Sequence, residues 1–374
     1  MYIKPLSRQK LNEYLAIPDL TNSTDNHAIR LLYEQIVDYM RSSHQSSDIR
    51  VYRKHSIVNV ADNYDNLLIS ADNITRSSTY THYVDNKHVL RTHTTAQIPR
   101  ILRELASTLD TWDDVVILLP GLAYRRDVTD KKHVGQVHML EMWRIVKKTK
   151  QHINKDDLLK VVNGVAIVAA PGWNLRIIDS PHPYTKQGIE VNAVQGNRDI
   201  EILECGLIKD KILENAGISP AKYSGWALGM GLDRLVMTLK DIPDVRYLRS
   251  KNPKIVVQMT DLNKYQEVSN QPAILRDMSY SVPKSYVEED VNEDIREALD
   301  AKQDILESVE VLSETNYEDL PLKVQLRLGI NKTQKNVLVR ITLRHLERTL
   351  ENTEANQIYD DIYQKINYGN SGYK

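Results

Sequence analysis

Phenylalanine is absent from this chain of 374 residues, and cysteine occurs once, at Cys205. A chain this long ordinarily carries on the order of ten or more phenylalanines. Coding bias does not explain the gap. The chain is rich in Asn, Ile, Lys and Tyr, as AT-rich genes are, and the same bias favours phenylalanine. A single cysteine excludes a disulfide framework and a CxxC zinc site, so no zinc is expected. It also makes a reducing interior the natural compartment. No apolar run reaches the roughly 18 residues that a membrane span needs, so no membrane partner is expected. The N-terminus, MYIKPLSRQKLNEYL, lacks an apolar signal core. It is short of arginine and soon meets Glu13 and Asp19, which makes a poor transit peptide. A cytoplasmic location is therefore expected. The formal charge of −1 gives no global field for nucleic acid, so any RNA contact must come from local patches. The GxGxxG and GxxxxGK spacings are missing, which excludes a dinucleotide fingerprint and a Walker loop.

What is present is a pair of arginine-bearing segments. The first is GLAYRRDVTDKKHVGQVHMLE at Gly121–Glu141, and the second is GMGLDRL at Gly229–Leu235. Arg125 follows the apolar run Val115–Leu119 and a Pro120-Gly121 turn, which puts it near the start of a strand. Arg234 follows two glycines, where backbone can approach a flat or charged ligand. A guanidinium can grip phosphate with two hydrogen bonds or stack on a base.

Around these segments the spacing predicts a helix over 26–41, with Ile29, Leu32, Ile36 and Met40 on one face and Asn26 or Asp25 as cap. Strands are expected at 57–60, 115–119, 137–145 and 165–169, with a helix at 98–109. Segments 189–194 and 200–203 read as paired strands about a turn at Gln195-Gly196-Asn197. Helices follow at 207–216 and 228–240. The order lacks βαβ regularity, which favours an α+β domain on an antiparallel sheet flanked by helices. Residues 252–271 read as a polar linker. Beyond it come strand 275–282, helix 289–299, strands 305–312, 323–328 and 337–343, and helix 353–366, an order that suits a ferredoxin-like α/β sandwich. Within that domain acids dominate 288–319, and bases follow at Lys323, Arg327, Lys332, Lys335, Arg340, Arg344 and Arg348. Such segregation either tracks an RNA backbone or complements the acidic face within the domain.

The two arginine segments resemble motifs 2 and 3 of the class II aminoacyl-tRNA synthetases. The closer resemblance is to phenylalanyl-tRNA synthetase in its single-chain, mitochondrial-type form. LRTHTTAQ (Leu90–Gln97), NYDNLLISADNITR (Asn63–Arg76), GWALGMGLDRLVMTLKDIPDVR (Gly225–Arg246), PAILRDMS (Pro272–Ser279) and RTLENTEANQIY (Arg348–Tyr359) match segments of that family in its order. The resemblance implies a catalytic domain over 1–251 with an N-terminal extension at 1–25, a linker at 252–271, and a ferredoxin-fold anticodon-binding domain over 272–374. Helix 26–41 resembles the motif 1 helix, a dimer seam in many class II enzymes and plain core packing in single-chain relatives; monomer and homodimer both stand.

The same resemblance implies ATP as substrate, Mg²⁺, an amino acid and tRNA. Arg125 would hold the α-phosphate. Arg234 would hold the γ-phosphate and flank the adenine, with Asp127 near that base and His133 on the outer phosphates. Glu190 and Glu201 would share Mg²⁺. His93, Thr95, Met139 and Glu141 match positions that hold the substrate's ammonium and carboxylate, although Met139 replaces a glutamine. His182, Pro183, Tyr184 and Thr185 replace an FPF-type segment that cups a phenyl ring, Glu204 replaces a glycine, and Ala227 is the small residue at the pocket floor. Lys323, Arg327, Lys335, Arg340, Arg344 and Arg348 would face tRNA. Phenylalanine is the expected substrate. The polar pocket leaves open a more polar amino acid, and a non-catalytic RNA-binding paralogue is the third reading. Under the first reading the missing phenylalanine acquires a sense: the chain is built without drawing on the charged tRNA it would supply. Equal depletion in neighbouring genes would defeat that hypothesis.

Overall fold

The structure, a computed structural model, describes residues 5–128, 130, 131, 133–268, 272–346 and 348–369. The chain divides into two compact units. The first holds residues 1–125, 136–242 and 256–265, and the second holds 126–135, 243–255 and 266–374.

The first unit is built on a seven-stranded sheet. Its strands, in chain order with a separate β2–β3 hairpin-like pair, are β1 (Asp48–Val51), β2 (Ile57–Asn59), β3 (His88–Leu90), β4 (Asp114–Tyr124), β5 (Gln136–Lys147), β6 (Asn174–Asp179), β7 (Thr185–Gln195), β8 (Arg198–Ile208) and β9 (Tyr223–Gly231). The sheet order is β1-β4-β5-β9-β8-β7-β6. Only the β1–β4 pairing is parallel; every other is antiparallel. The β4 sequence DVVILLPGLAY is buried at every residue, as a strand covered on both faces requires. Helix Ala28–Ser43 packs against helices Lys155–Ala169 and Leu232–Lys240, of which the former lies on β8 and the latter on β5. On another side, Ile98, Ile101, Leu102 and Leu105 join Val115, Ile117, Leu119, Trp143, Ile145, Ile212 and Leu213 in one apolar cluster. Among the described residues no helix is long and apolar enough to cross a membrane.

Several local expectations change. Pro120-Gly121 makes no turn: β4 runs through both residues, and Arg125 lies just past its end. Gly121 has φ +152°, and a Cβ there would lie 2.2 Å from Nη2 of the buried Arg91. Residues 165–169 close a helix instead of forming a strand, because Asn154 and Asp157 make a reciprocal capping box that starts the helix at Lys155. Residues 228–231 belong to β9, and the helix begins only at Leu232. Helix Ala28–Ser43 is capped by His27, whose Nδ1 accepts from the Ile29 N–H at 3.1 Å, and not by Asn26 or Asp25.

In the second unit, β10 (Ile274–Pro283), β11 (Leu306–Asn316) and β12 (Gln334–Leu343) form an antiparallel sheet of order β10-β12-β11. Helices Glu288–Leu299 and Asn352–Ile366 pack with it around Met278, Tyr280, Val282, Val339, Ile341, Ile358 and Ile362. The expected strand at 323–328 is instead the helix Leu322–Leu328. Pro321 precedes its first turn, and Gly329 ends it in the left-handed conformation at φ +59°. The expected linker contains a further helical turn, Pro253–Val256.

Candidate active site

The register of the first sheet assembles the site. Glu141 of β5 faces Gly229 of β9, Gly229 faces Glu204 of β8, and Glu204 faces Glu190 of β7. Residues in register share a face, so three carboxylates line one row with a bare glycine between the first two. The next row on that face is Trp143, Ala227 and Gly206. Gly206, Ala227 and Gly229 form a floor of small residues. A Cβ at 229 would lie 2.9 Å from Oε2 of Glu141, and one at 206 would lie 2.6 Å from Cβ of Thr185.

Walls rise around the floor. Oε2 of Glu141 accepts from the Thr95 hydroxyl at 2.7 Å, and Oε1 accepts from the Trp143 indole N–H at 2.6 Å. Burial, tempered by these two donors, pushes the Glu141 carboxyl up to about 7. The Tyr184 ring stacks on Trp143 at 5.8 Å between centroids. Its phenol is raised by burial and by the charges of Glu141 and Glu204. His182 lies 3.1 Å from a Glu204 oxygen. That contact, outweighing burial, holds the Glu204 carboxyl below its ordinary value. Burial and then the charge of Arg125 depress His93 to about 3, a neutral imidazole at any physiological pH. Thr185 is buried, and its Oγ1 has no hydrogen-bond partner.

The two guanidiniums reach the same constellation from opposite sides of the sequence. Nε of Arg125 donates to the Thr92 carbonyl at 2.7 Å, Nη2 lies 3.9 Å from the Met139 sulfur, and the charge acts on Glu204 and Tyr184. Arg234 is half-exposed, with Nη1 3.2 Å from Oε2 of Glu201. Glu201 is raised first by burial and then by Glu204, with Arg234 pulling it down and Glu190 pushing it up. The structure thus brings together His93, Thr95, Arg125, Met139, Glu141, His182, Tyr184, Thr185, Glu190, Glu201, Glu204, Ala227 and Arg234. Asp127 and His133 fall in the segment 126–135, which groups with the second unit. There Asp127 accepts from the Val128 N–H at 2.9 Å, and His133 Nδ1 lies 2.6 Å from Asp130.

Three residues of this site escape the sequence reading. Trp143 was legible by period: two positions after Glu141 on a strand puts it on the same face. Asp233 and His138 were not. The His138 N–H donates to Oδ2 of Asp233 at 2.5 Å, and Nδ1 lies 3.0 Å from Oδ1. Nε2 of His138 accepts from the Leu20 N–H at 3.0 Å, so Nδ1 carries the donor proton. This buried pair ties the first turn of helix Leu232–Lys240, and with it Arg234, to β5.

In the second unit, Lys323 and Arg327 are exposed on the short helix Leu322–Leu328. Arg340 is bound to Asp277 at 2.8 and 2.9 Å, and Arg348 to Glu354 at 2.8 Å. Arg344 pairs with Glu307. Lys335 departs from the expected basic face. It is buried, 2.6 Å from Glu314 and 2.7 Å from the Tyr286 carbonyl, because its position on the central strand β12 places it between neighbours.

Known proteins similar to this chain fall among the tRNA synthetases. A family model described as tRNA synthetases class II core domain (F) matches residues 15–259, well over half of the chain. The chain is 28% identical over 359 residues to the chloroplastic/mitochondrial phenylalanine–tRNA ligase of Arabidopsis thaliana, covering 92% of this chain and 78% of the relative. It is 26% identical over 395 residues to the probable mitochondrial phenylalanine–tRNA ligase of Drosophila melanogaster, covering 90% and 82%. Among solved structures, the pyrrolysyl-tRNA synthetase of Desulfitobacterium hafniense is similar with a TM-score of 0.47 and 19% identity, over 65% of this chain and 78% of that one. These relatives are named chloroplastic or mitochondrial, which contradicts the expected cytoplasmic location; an unremarkable N-terminal composition was too weak a signal to decide it. By the extent of the matching core model, this chain belongs to the class II tRNA synthetase core domain (F) family.

Proposed function

We propose that the chain is a phenylalanine–tRNA ligase: it activates phenylalanine with ATP and transfers it to the 3′ end of tRNA. The observation that carries this reading is the pair of guanidiniums, Arg125 and Arg234, on one carboxylate-lined face of the sheet in a class II core. The names of the relatives support the choice of amino acid.

In the first step an oxygen of the amino acid's carboxylate attacks the α-phosphorus of ATP. The bond from that phosphorus to the bridging oxygen breaks, and pyrophosphate leaves. Charge grows on phosphoryl oxygens, so the site needs positioned cations more than a base. Arg125 is oriented by the Thr92 carbonyl, to which its Nε donates, and its guanidinium is assigned to the α-phosphate. Arg234, anchored by Glu201 and by the neighbouring Asp233–His138 pair, serves the γ-phosphate and the adenine. Glu190 and Glu201 press on each other electrostatically, and such a carboxylate pair beside phosphate oxygens is the donor set magnesium favours. Bound Mg²⁺ would neutralise charge on the phosphates. His93, Thr95 and Glu141 hold the polar end of the amino acid, and Tyr184 and His182 border its ring over the floor at Ala227. In the second step a ribose hydroxyl of the tRNA terminus attacks the activated carbonyl, and AMP leaves. Lys323 and Arg327 are the exposed cations of the second unit best suited to meet the RNA backbone.

The test is ATP–pyrophosphate exchange with each of the twenty amino acids. Phenylalanine-dependent exchange is expected, and Arg234→Ala should lower it by roughly 10²–10³-fold or more while the chain stays folded. Exchange driven by another amino acid, or by none, would replace this reading.

A further inference from the structure

We propose that Glu204, which lies beside His182, is the residue that receives the amino acid's α-ammonium. The inference rests on the adenylate-forming reading above and deepens it at one position.

The argument starts from what a zwitterion needs. Its carboxylate seeks the cations that also serve ATP, and its ammonium seeks anions away from them. Four carboxylates face the site: Glu141, Glu190, Glu201 and Glu204. Glu201 is engaged by Arg234. Glu190 lies one strand further from the small-residue floor than Glu204. Glu141 reaches the floor, but both its oxygens already accept hydrogen bonds, from Thr95 and Trp143. Its burial also leaves it only partly ionised near neutral pH. Met139 offers a thioether, a weak acceptor, and its sulfur faces Arg125.

Glu204 differs from these groups in its access and its place on the floor. It is half-exposed, so a ligand can reach it, and His182 lies 3.1 Å from one of its oxygens. It flanks Gly229 on the side opposite Glu141, and nothing but backbone fills the strand between them. Two strand spacings, about 10 Å between the outer backbones, leave room for two glutamate side chains to lean over the gap with a cation between them. A second observation marks the same space as a ligand site: the buried, unpartnered Oγ1 of Thr185 abuts Gly206 in the adjacent row. A buried hydroxyl without a partner is costly until something fills it. His182 acts through Glu204 and is a positioning residue.

The experiment uses the full-length chain. In exchange assays Glu204→Gln, which keeps the shape and removes the charge, should raise the KM for the amino acid roughly 10–100-fold, the range for one lost charge-assisted hydrogen bond. The KM for ATP should stay within about twofold. His182→Phe should act in the same direction and more weakly. Competition with 2-amino-3-phenylpropan-1-ol and 3-phenylpropan-1-ol, which differ only in the ammonium, isolates the contact. Wild type should prefer the amine, and Glu204→Gln should erase that preference. An unchanged preference, an equal loss of both compounds, or a shift in the KM for ATP would overturn the assignment. If wild type exchanges with a different amino acid, the substrate reading fails while the KM comparison on that amino acid still decides Glu204. If it exchanges with none, both fall.

Discussion

Tyr280 should be replaceable by the one residue this chain never uses, with a gain in stability. It lies on β10 opposite Val337, fully buried in the core of the second unit, and its hydroxyl has no hydrogen-bond partner. Burial, with the nearby Asp294 adding to it, pushes the phenol far above its ordinary value. An unsatisfied buried hydroxyl costs about 1–3 kcal/mol. Removing one oxygen leaves a small void, worth a few tenths of a kcal/mol. Tyr280→Phe should therefore stabilise by about 1–2 kcal/mol, and each kcal/mol should raise the midpoint of a unit this size by about 4 °C. Tyr64 is the control of opposite sign. It is equally buried, but its hydroxyl donates to the Thr75 carbonyl at 2.9 Å and contacts the Thr81 hydroxyl. Tyr64→Phe should cost about 1 kcal/mol. Urea unfolding of the full-length variants, with amide exchange in the β10 and β12 peptides to locate the change, measures both. A loss at Tyr280 equal to that at Tyr64 would refute the reasoning. It would mean that the hydroxyl earns its place structurally, and the absence of phenylalanine would need no explanation beyond packing.

Three further outcomes follow from the site. The folded chain keeps a proton on Glu141 up to about 7, against an ordinary value of 4.5. Between these values unfolding releases that proton, so stability should fall as pH rises through the window, by on the order of 3 kcal/mol, and Glu141→Gln should flatten the trend in urea titrations across pH. Asp233→Ala should leave His138 without its partner, cost about 1–3 kcal/mol in stability, and lower exchange with a larger effect on the ATP KM than on the amino-acid KM, because the helix carrying Arg234 loses its tie to β5. Lys323→Glu with Arg327→Glu should weaken tRNA binding and flatten its dependence on salt, by roughly one to two units of the log–log slope, while exchange without tRNA is unaffected.

Much of this was legible from the chain alone. The turn at Gln195-Gly196-Asn197 announced the β7–β8 hairpin, and the spacing of Ile29, Leu32, Ile36 and Met40 announced the first long helix. The two arginine segments named the chemistry. Errors gathered where local signals compete. Apolar residues at 165–169 fit a strand as readily as the end of a helix, and only the capping box at Asn154 separates the two. At 323–328 the alternation of basic and apolar residues resembled a strand, while Pro321 and Gly329 set a helix.

The sequence by itself determined which residue types were present and the period with which each segment would fold, because backbone geometry couples near neighbours. It thereby determined that two guanidiniums and a set of carboxylates would be carried on an antiparallel α+β scaffold. Only the tertiary structure decided which of them meet. The row Glu141, Gly229, Glu204 and Glu190 draws on four strands, with β5 far in the chain from the other three, and a slip of one residue in any pairing would turn a carboxylate to the opposite face. The burial of Lys335 and the tie between Asp233 and His138 are decided the same way: each depends on what the fold packs beside a residue, and no local pattern carries that information.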